Sequence, residues 1–176
     1  MKIHNNIESL KTSATLAINE LSKELIEEGK EVFKFGLGQS PFPVPKVIVD
    51  ELKKNSHQKD YLNVSGLLGL RKEVARYHSN KNQYNYDSEN VIIGPGSKEL
   101  IFQIQMALDC DLLLPSPSWV SYEPQAQIIN KKVHWIHATA ESNWHLNPED
   151  LDKVCENLKS VNKLLILTEL LIKIQP

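Results

Sequence analysis

Apolar residues are spaced along the chain in a way that predicts helices alternating with short strands. Positions three or four apart share one face of a helix, and short continuous apolar runs are typical of buried strands. The predicted strands are 91–93, 112–114, 133–136 and 164–167. Two predicted helices cover the ranges 14–28 and 121–129. Two more are marked by their first residues: Pro45 opens a helix with the apolar stripe Val44, Ile48 and Leu52, and Asn147 with Pro148 begins a helix with the stripe Leu151, Val154 and Leu158. The remaining two are marked by their stripes alone, which are Leu70, Val74 and Tyr77 in one and Leu100, Ile101, Ile104 and Leu108 in the other.

Strands that alternate with helices at this spacing indicate β-α crossovers and a parallel sheet. The sequence therefore predicts the α/β class, with an N-terminal helical arm and a partial, mostly parallel sheet with flanking helices. Between the arm and the sheet, residues 36–45 hold three prolines and two glycines. This segment is either a rigid linker or a loop whose glycines let the backbone approach a small ligand.

The composition narrows the class of protein. The 176 residues suffice for about one domain, or one domain plus an arm. With 41% hydrophobic and 24% charged residues, the chain is neither disordered nor fibrous. A formal net charge of −2 and the lack of a basic stripe argue against nucleic-acid binding.

The cysteines and the hydropathy pattern indicate the cellular compartment of the protein. Cys110 and Cys155 show no CxxC spacing, and we expect them to be reduced and buried. The sequence shows no signal peptide and no run of 18 apolar residues. We therefore expect a soluble, cytoplasmic protein without a membrane partner.

The most suggestive segment for chemistry is Gly94-Pro-Gly-Ser97, which lies between a predicted strand and a predicted helix. Small residues there let the N–H groups of a helix start approach an anion, and Ser97 adds a hydroxyl donor. The spacing matches neither a Walker loop nor GxGxxG, and an ordinary tight turn is the alternative interpretation.

Trp119 follows the second predicted strand directly. The carboxyl ends of parallel strands are where ligands bind in open α/β sheets, and an indole offers a flat face for an aromatic ring. The alternative is an indole that packs over the sheet edge. His134 and His137 lie three apart on a predicted strand and point to opposite faces, so we expect no metal site.

Four segments in register extend these observations. They are LGQSPFPVP at 37–45, YLNVSGLLGLR at 61–71, GPGSKEL at 94–100 and PSPSWVSY at 115–122. Together they resemble the N-terminal half of a class I/II pyridoxal-phosphate-dependent aminotransferase of fold type I, over residues 14–167. The resemblance implies an incomplete large domain of the pyridoxal-phosphate-dependent transferase kind.

The resemblance also implies roles for single residues. Gly96, Ser97 and Lys98 match the turn that holds the phosphate of the cofactor, pyridoxal 5′-phosphate. Trp119 matches the aromatic residue that stacks on the cofactor's pyridine ring beside the substrate carboxylate.

Three further positions have counterparts in the family. Gly38 matches a loop glycine whose backbone contacts the substrate, and Tyr61 matches a tyrosine that reaches the phosphate of the other subunit in a homodimer. The stretch from Gly66 to Arg71 is interpreted as structural support, with Arg71 as a surface ion-pair partner.

The sequence departs from the family pattern after the last predicted strand. Thr168 stands where the family has the asparagine that bonds the cofactor's ring oxygen, and the N-x-P-x-N-P-T-G motif is absent. The Schiff-base lysine, the aspartate that pairs with the pyridine nitrogen and the arginine that clamps the substrate are absent too, and Lys98 cannot replace that lysine. We expect no catalytic residue in this chain, and a truncated or frame-shifted reading of an aminotransferase gene.

The predicted division is therefore an arm and substrate loop at 1–44, the N-terminal portion of the cofactor domain at 45–167, and an aberrant or truncated tail at 168–176. The predicted function is transfer of an amino group between an amino acid and a 2-oxo acid, with this chain an inactive fragment. The alternatives are a non-catalytic cofactor-binding or dimerisation remnant, and a phosphate- or nucleotide-binding α/β domain.

Overall fold

A computed structural model describes residues 2–36, 38, 40–160 and 162–168. Residues 169–176, most of the predicted aberrant tail, lie outside the described residues. In chain order the elements are α1 (Asn5–Glu8), α2 (Ala14–Glu27), α3 (Lys46–Asn55), α4 (Leu68–Asn82), α5 (Ser97–Ala107), β1 (Asp111–Ser116), α6 (Tyr122–Ile128), β2 (Val133–His137), α7 (Pro148–Glu156) and β3 (Lys163–Leu165).

The chain divides into two compact units. One unit joins the residues up to Val32 with those from Lys98 onward, and the other is Phe33–Ser97. We call them the sheet unit and the loop unit. The domain boundaries expected from the sequence stay a prediction, because compactness within one chain does not test them.

The sheet unit contains a parallel sheet of three strands in the order β2-β1-β3. The central strand β1 pairs on both sides, with Leu112 opposite Val133 on β2 and Leu164 on β3. Leu112, Leu113 and Leu114 are each at most 2% exposed. A continuous apolar run is what a parallel strand covered on both faces requires, so the α/β prediction is confirmed.

The core of the sheet unit forms where α6 packs on β1. Leu112 and Leu114 contact Tyr122 and Ala126 of α6, all of them buried. Partly buried side chains complete this cluster: Ile101, Val133, Trp135, Leu164 and Ile166.

The predicted ends of two helices are confirmed in detail. Asn147 Oδ1 accepts a hydrogen bond from Glu149 N (3.0 Å), and Pro148 is the first residue of α7. Gly29 follows α2 with φ +82°, the left-handed conformation that favours glycine after a helix.

The predicted strand at 91–93 is wrong. Val91 has extended dihedral angles, but no described strand lies beside it to form a ladder. Its neighbour Ile93 instead donates its N–H to Ser65 O (3.0 Å), in an irregular segment of the loop unit. An apolar run becomes a strand only when another backbone supplies the hydrogen bonds, and periodicity along one segment does not reveal that partner.

Helix α4 buries a different face from the predicted one. Leu70 and Tyr77 of the apolar stripe are exposed, whereas Arg71 is 6% and Ala75 is 3% exposed. Arg71 does pair with Glu89, as expected of an ion-pair partner, but its placement at the surface is wrong. Its guanidinium lies in the loop unit among backbone carbonyls that accept its hydrogen bonds.

No described helix is long and apolar enough to cross a membrane.

Candidate functional site

The predicted anion-binding turn leads directly into α5. Gly96 has φ +139°, a conformation that L side chains rarely adopt, and a Cβ added there would meet nothing within 4 Å. Helix α5 begins at Ser97, so its first N–H groups have no carbonyl partner within the helix. Gly96, Ser97 and Lys98 are all exposed. The turn and the unpaired N–H groups at the start of α5 are therefore open to solvent, and phosphate binding there stays a prediction.

A buried amide network fixes the start of α5 against α6. Gln125 Nε2 donates to Lys98 O (2.9 Å), and Gln105 Nε2 donates to Gln125 Oε1 (3.1 Å). Gln105 is 0% and Gln125 is 9% exposed. Gln105 Oε1 accepts no hydrogen bond from the described residues. These hydrogen bonds tie the backbone of Lys98, near the start of α5, to α6.

Trp119 lies in the loop that joins β1 to α6, at the carboxyl end of the central strand. Its side chain is 53% exposed, so the described residues leave much of the indole uncovered. Trp119 O accepts the N–H of Tyr122, the first residue of α6 (3.2 Å). The loop is thus anchored to α6 by its backbone, while about half of the Trp119 side chain is exposed.

A hydrogen bond between two hydroxyl groups joins the start of α6 to the segment that follows β3. Tyr122, which is 7% exposed, shares a hydrogen bond with Thr168, which follows β3, with 3.0 Å between Oη and Oγ1. Tyr122 carries no sequence motif that predicts a role for it. Its only signal was an aromatic residue three positions after Trp119, which does not identify a partner 46 residues later.

The predicted site residues are distributed over both units of the chain. In the sheet unit, Lys98 and the Trp119 loop are linked through α6. In the loop unit, the Tyr61 ring is fully exposed and a Cβ at Gly38 would meet nothing within 4 Å. The predicted site residues divide between the units as Lys98 and Trp119 in the sheet unit, and Gly38, Tyr61, Gly96 and Ser97 in the loop unit.

The histidines and cysteines lie away from this turn along the chain. His134 Nε2 is 3.1 Å from Asp111 Oδ2, so the imidazole is paired within the sheet. Cys110 and Cys155 are free thiols. Among the described residues, no group of three or more His, Cys, Asp or Glu side chains could hold a metal ion.

Comparison with known proteins identifies the class to which this fold and turn belong. Residues 30–170 match the family described as "Aminotransferase class I and II". Since the match covers most of the chain, the chain belongs to the class I and II aminotransferase family. This assignment confirms the resemblance seen in the four sequence segments, and it favours that interpretation over a nucleotide-binding domain.

Individual relatives show how much of a family member is present. A protein of Rhizobium leguminosarum bv. phaseoli named "Probable aspartate/prephenate aminotransferase" is 32% identical over an alignment of 151 residues that covers 82% of this chain and 37% of that protein. An aspartate aminotransferase of Geobacillus stearothermophilus is 30% identical over an alignment of 156 residues that covers 86% of this chain and 40% of that protein. The chain therefore spans about two fifths of the length of these relatives.

Solved structures confirm the partial fold. The crystal structure of the aspartate aminotransferase from Rhizobium meliloti aligns with a TM-score of 0.80 at 24% identity, over 88% of this chain and 40% of that one. That of the aspartate aminotransferase from Thermotoga maritima aligns with a TM-score of 0.77 at 24% identity, over 86% and 42%. At this identity the likeness concerns the fold alone.

Proposed function

We propose that this chain is the cofactor-cradling part of a pyridoxal-phosphate-dependent aminotransferase, which moves an amino group between an amino acid and a 2-oxo acid. The observation that carries the proposal is the exposed start of α5 at Gly96 and Ser97, with Lys98 held by Gln125. When bound, the cofactor supplies an electron sink for bond breaking at the α-carbon of the amino acid.

In this proposal the start of α5 holds the phosphate, and Trp119 contacts one face of the cofactor ring. The first N–H groups of α5 and the Ser97 hydroxyl donate hydrogen bonds to the phosphate, and the positive end of the helix dipole favours its charge. Lys98 supplies a counter-charge, and Trp119 offers its exposed indole to the ring.

Further roles concern the substrate and a second subunit. The backbone at Gly38 approaches the substrate, and Tyr61 contacts the phosphate of a partner in a homodimer. The full exposure of the Tyr61 ring supports this proposal, since a large aromatic surface gains most from a partner that covers it. Aspartate is the proposed donor of the amino group, because relatives of this chain are named aspartate aminotransferases. The cytoplasmic location stays a prediction.

The chain by itself is expected to show no transaminase activity. Proton transfer at the substrate needs a lysine positioned beside the cofactor, and Lys98, in the phosphate turn, cannot take that role. The measurement is coupled turnover of aspartate or glutamate with 2-oxoglutarate, compared with a heat-treated sample. Turnover above that background would overturn the proposal that this chain is inactive alone.

Ser97→Glu is expected to lower affinity for a phosphorylated ligand by at least about tenfold. The new carboxylate would repel the phosphate, and this repulsion outweighs a helix-dipole attraction of about 0.3–1 kcal/mol. The probe is pyridoxine 5′-phosphate, which has no aldehyde and cannot react with surface lysines. Binding is followed by calorimetry and by quenching of tryptophan fluorescence.

Ser13→Glu is the matched control, because Ser13 is exposed at the start of α2 and makes no side-chain capping bond. Its variant is expected to bind the probe like the unmodified chain. Equal binding by the Ser97→Glu variant would refute the phosphate assignment. An unmodified chain that does not bind the probe would refute cofactor binding by this chain.

A further inference from the structure

One polar face of α4 holds the segment that precedes the phosphate turn. Arg71, Ala75 and Ser79 are spaced four apart and so lie on one face of the helix. Tyr86 N donates to Ser79 Oγ (2.9 Å), and the Ser79 hydroxyl donates to Ala75 O (2.8 Å). The small, 3% exposed side chain of Ala75 leaves room for the segment to approach the helix.

Arg71 makes three hydrogen bonds from this face of α4. Its Nε donates to Val91 O (2.9 Å), and its Nη2 donates to Ser88 O (2.6 Å) and to Glu89 Oε1 (3.1 Å). The Glu89 side chain is 80% exposed, whereas that of Arg71 is 7% exposed. Solvent weakens the pairing with Glu89, so the two backbone carbonyls are the main partners of the guanidinium.

A second contact holds the same segment two residues further along. Ile93 N donates to Ser65 O (3.0 Å), and the Cβ of Ile93 lies only 2.6 Å from where a Cβ on Gly66 would be. Arg71 and Ser65 therefore both hold the backbone of residues 88–93 through hydrogen bonds. Gly94, the first residue of the phosphate turn, follows immediately.

We propose that Arg71 is a positioning residue for the phosphate turn, which it orients by fixing the backbone at Ser88 and Val91. The proposal rests on the function proposed above, since it takes the turn to bind phosphate. A planar guanidinium donates to two carbonyls at once in fixed directions, which a lysine ammonium on its flexible stem does not do. The buried charge is tolerated because these hydrogen bonds replace its hydration.

The test compares Arg71→Gln and Arg71→Lys with two control variants. Arg76→Gln makes the same change on the same helix at an exposed residue, where hydrogen bonding to Glu73 raises the pKa of the guanidinium. Glu89→Gln removes the exposed carboxylate and keeps both carbonyl contacts. Hydrogen exchange of the amides in residues 88–93 is measured without ligand, and the ratio of affinities for pyridoxine 5′-phosphate and pyridoxine is measured separately.

For Arg71→Gln we expect exchange in 88–93 to accelerate and the preference for the phosphorylated probe to fall by about tenfold. Arg71→Lys should restore part of both properties, and both control variants should match the unmodified chain. Exchange in β1 should stay unchanged, which separates the effect from general unfolding. A loss of stability alone would not change the ratio of two affinities measured on the folded protein.

Unchanged exchange and unchanged preference in Arg71→Gln would overturn the proposal, and so would accelerated exchange in β1 of both Arg71 variants. If Arg71→Gln alone unfolds, the folded Arg71→Lys variant decides by the same two measurements. If the unmodified chain does not prefer the phosphorylated probe, the proposed function fails, while exchange in 88–93 still decides whether Arg71 fixes this segment.

Discussion

Replacing Gly66 by alanine is expected to lower the free energy of unfolding of the loop unit by about 2–5 kcal/mol. Gly66 has φ +95°, which an L residue adopts only with strain. Its new Cβ would lie 2.6 Å from the Cβ and 3.4 Å from the Cα of Ile93, so a flexible side chain cannot relieve the clash. The measurement is urea unfolding followed by circular dichroism, with hydrogen exchange to locate the loss.

Two further variants separate the causes. Gly69→Ala lies in the first turn of α4 with nothing within 4 Å of its new Cβ, and should leave the stability unchanged or slightly raised. In the double variant Gly66→Ala with Ile93→Gly, the clash is removed and only the backbone strain remains. The double variant should therefore be more stable than the sum of the single losses implies. If the loss in the double variant equals the sum of the two single losses, contact with Ile93 is not the cause of the destabilisation by Gly66→Ala.

The sheet unit could be predicted because its determinants lie within short stretches of sequence. The run of Leu112, Leu113 and Leu114 is typical of a strand covered on both faces, and the helices predicted on either side indicate parallel pairing. Asn147 and Pro148 likewise specify a helix start by local hydrogen bonding alone. Features of this kind need no knowledge of distant residues.

The loop unit was harder to predict because its packing depends on polar and small residues. The apolar stripe of α4 includes Leu70 and Tyr77, yet the buried positions are Arg71 and Ala75. An arginine becomes buried when backbone carbonyls from another segment surround it. No pattern within α4 reveals that Ser88 and Val91 supply those carbonyls.

The same contrast holds at the candidate site. The positions of Lys98 at a helix start and of Trp119 after a strand follow from the order of elements. The bond from Gln125 to Lys98 and the pairing of Tyr122 with Thr168 join residues that are far apart in sequence. Such polar pairs have no periodic signature, so only the folded chain reveals them.

Replacing Leu114 by alanine is expected to lower the free energy of unfolding of the sheet unit by about 2–5 kcal/mol, because a large side chain leaves a cavity that the core fills only in part. Leu114 is 0% exposed and packs with Tyr122 and Ala126 on α6. The loop that carries Trp119 joins β1 to this helix, so loosening the packing should also shift the tryptophan emission spectrum.

Leu108→Ala removes the same atoms from a residue that is 48% exposed, and should lower the free energy of unfolding by less than about 1 kcal/mol. Chemical denaturation monitored by circular dichroism and fluorescence compares the two variants, and equal losses would show that the β1–α6 contact is not the main source of stability in this unit.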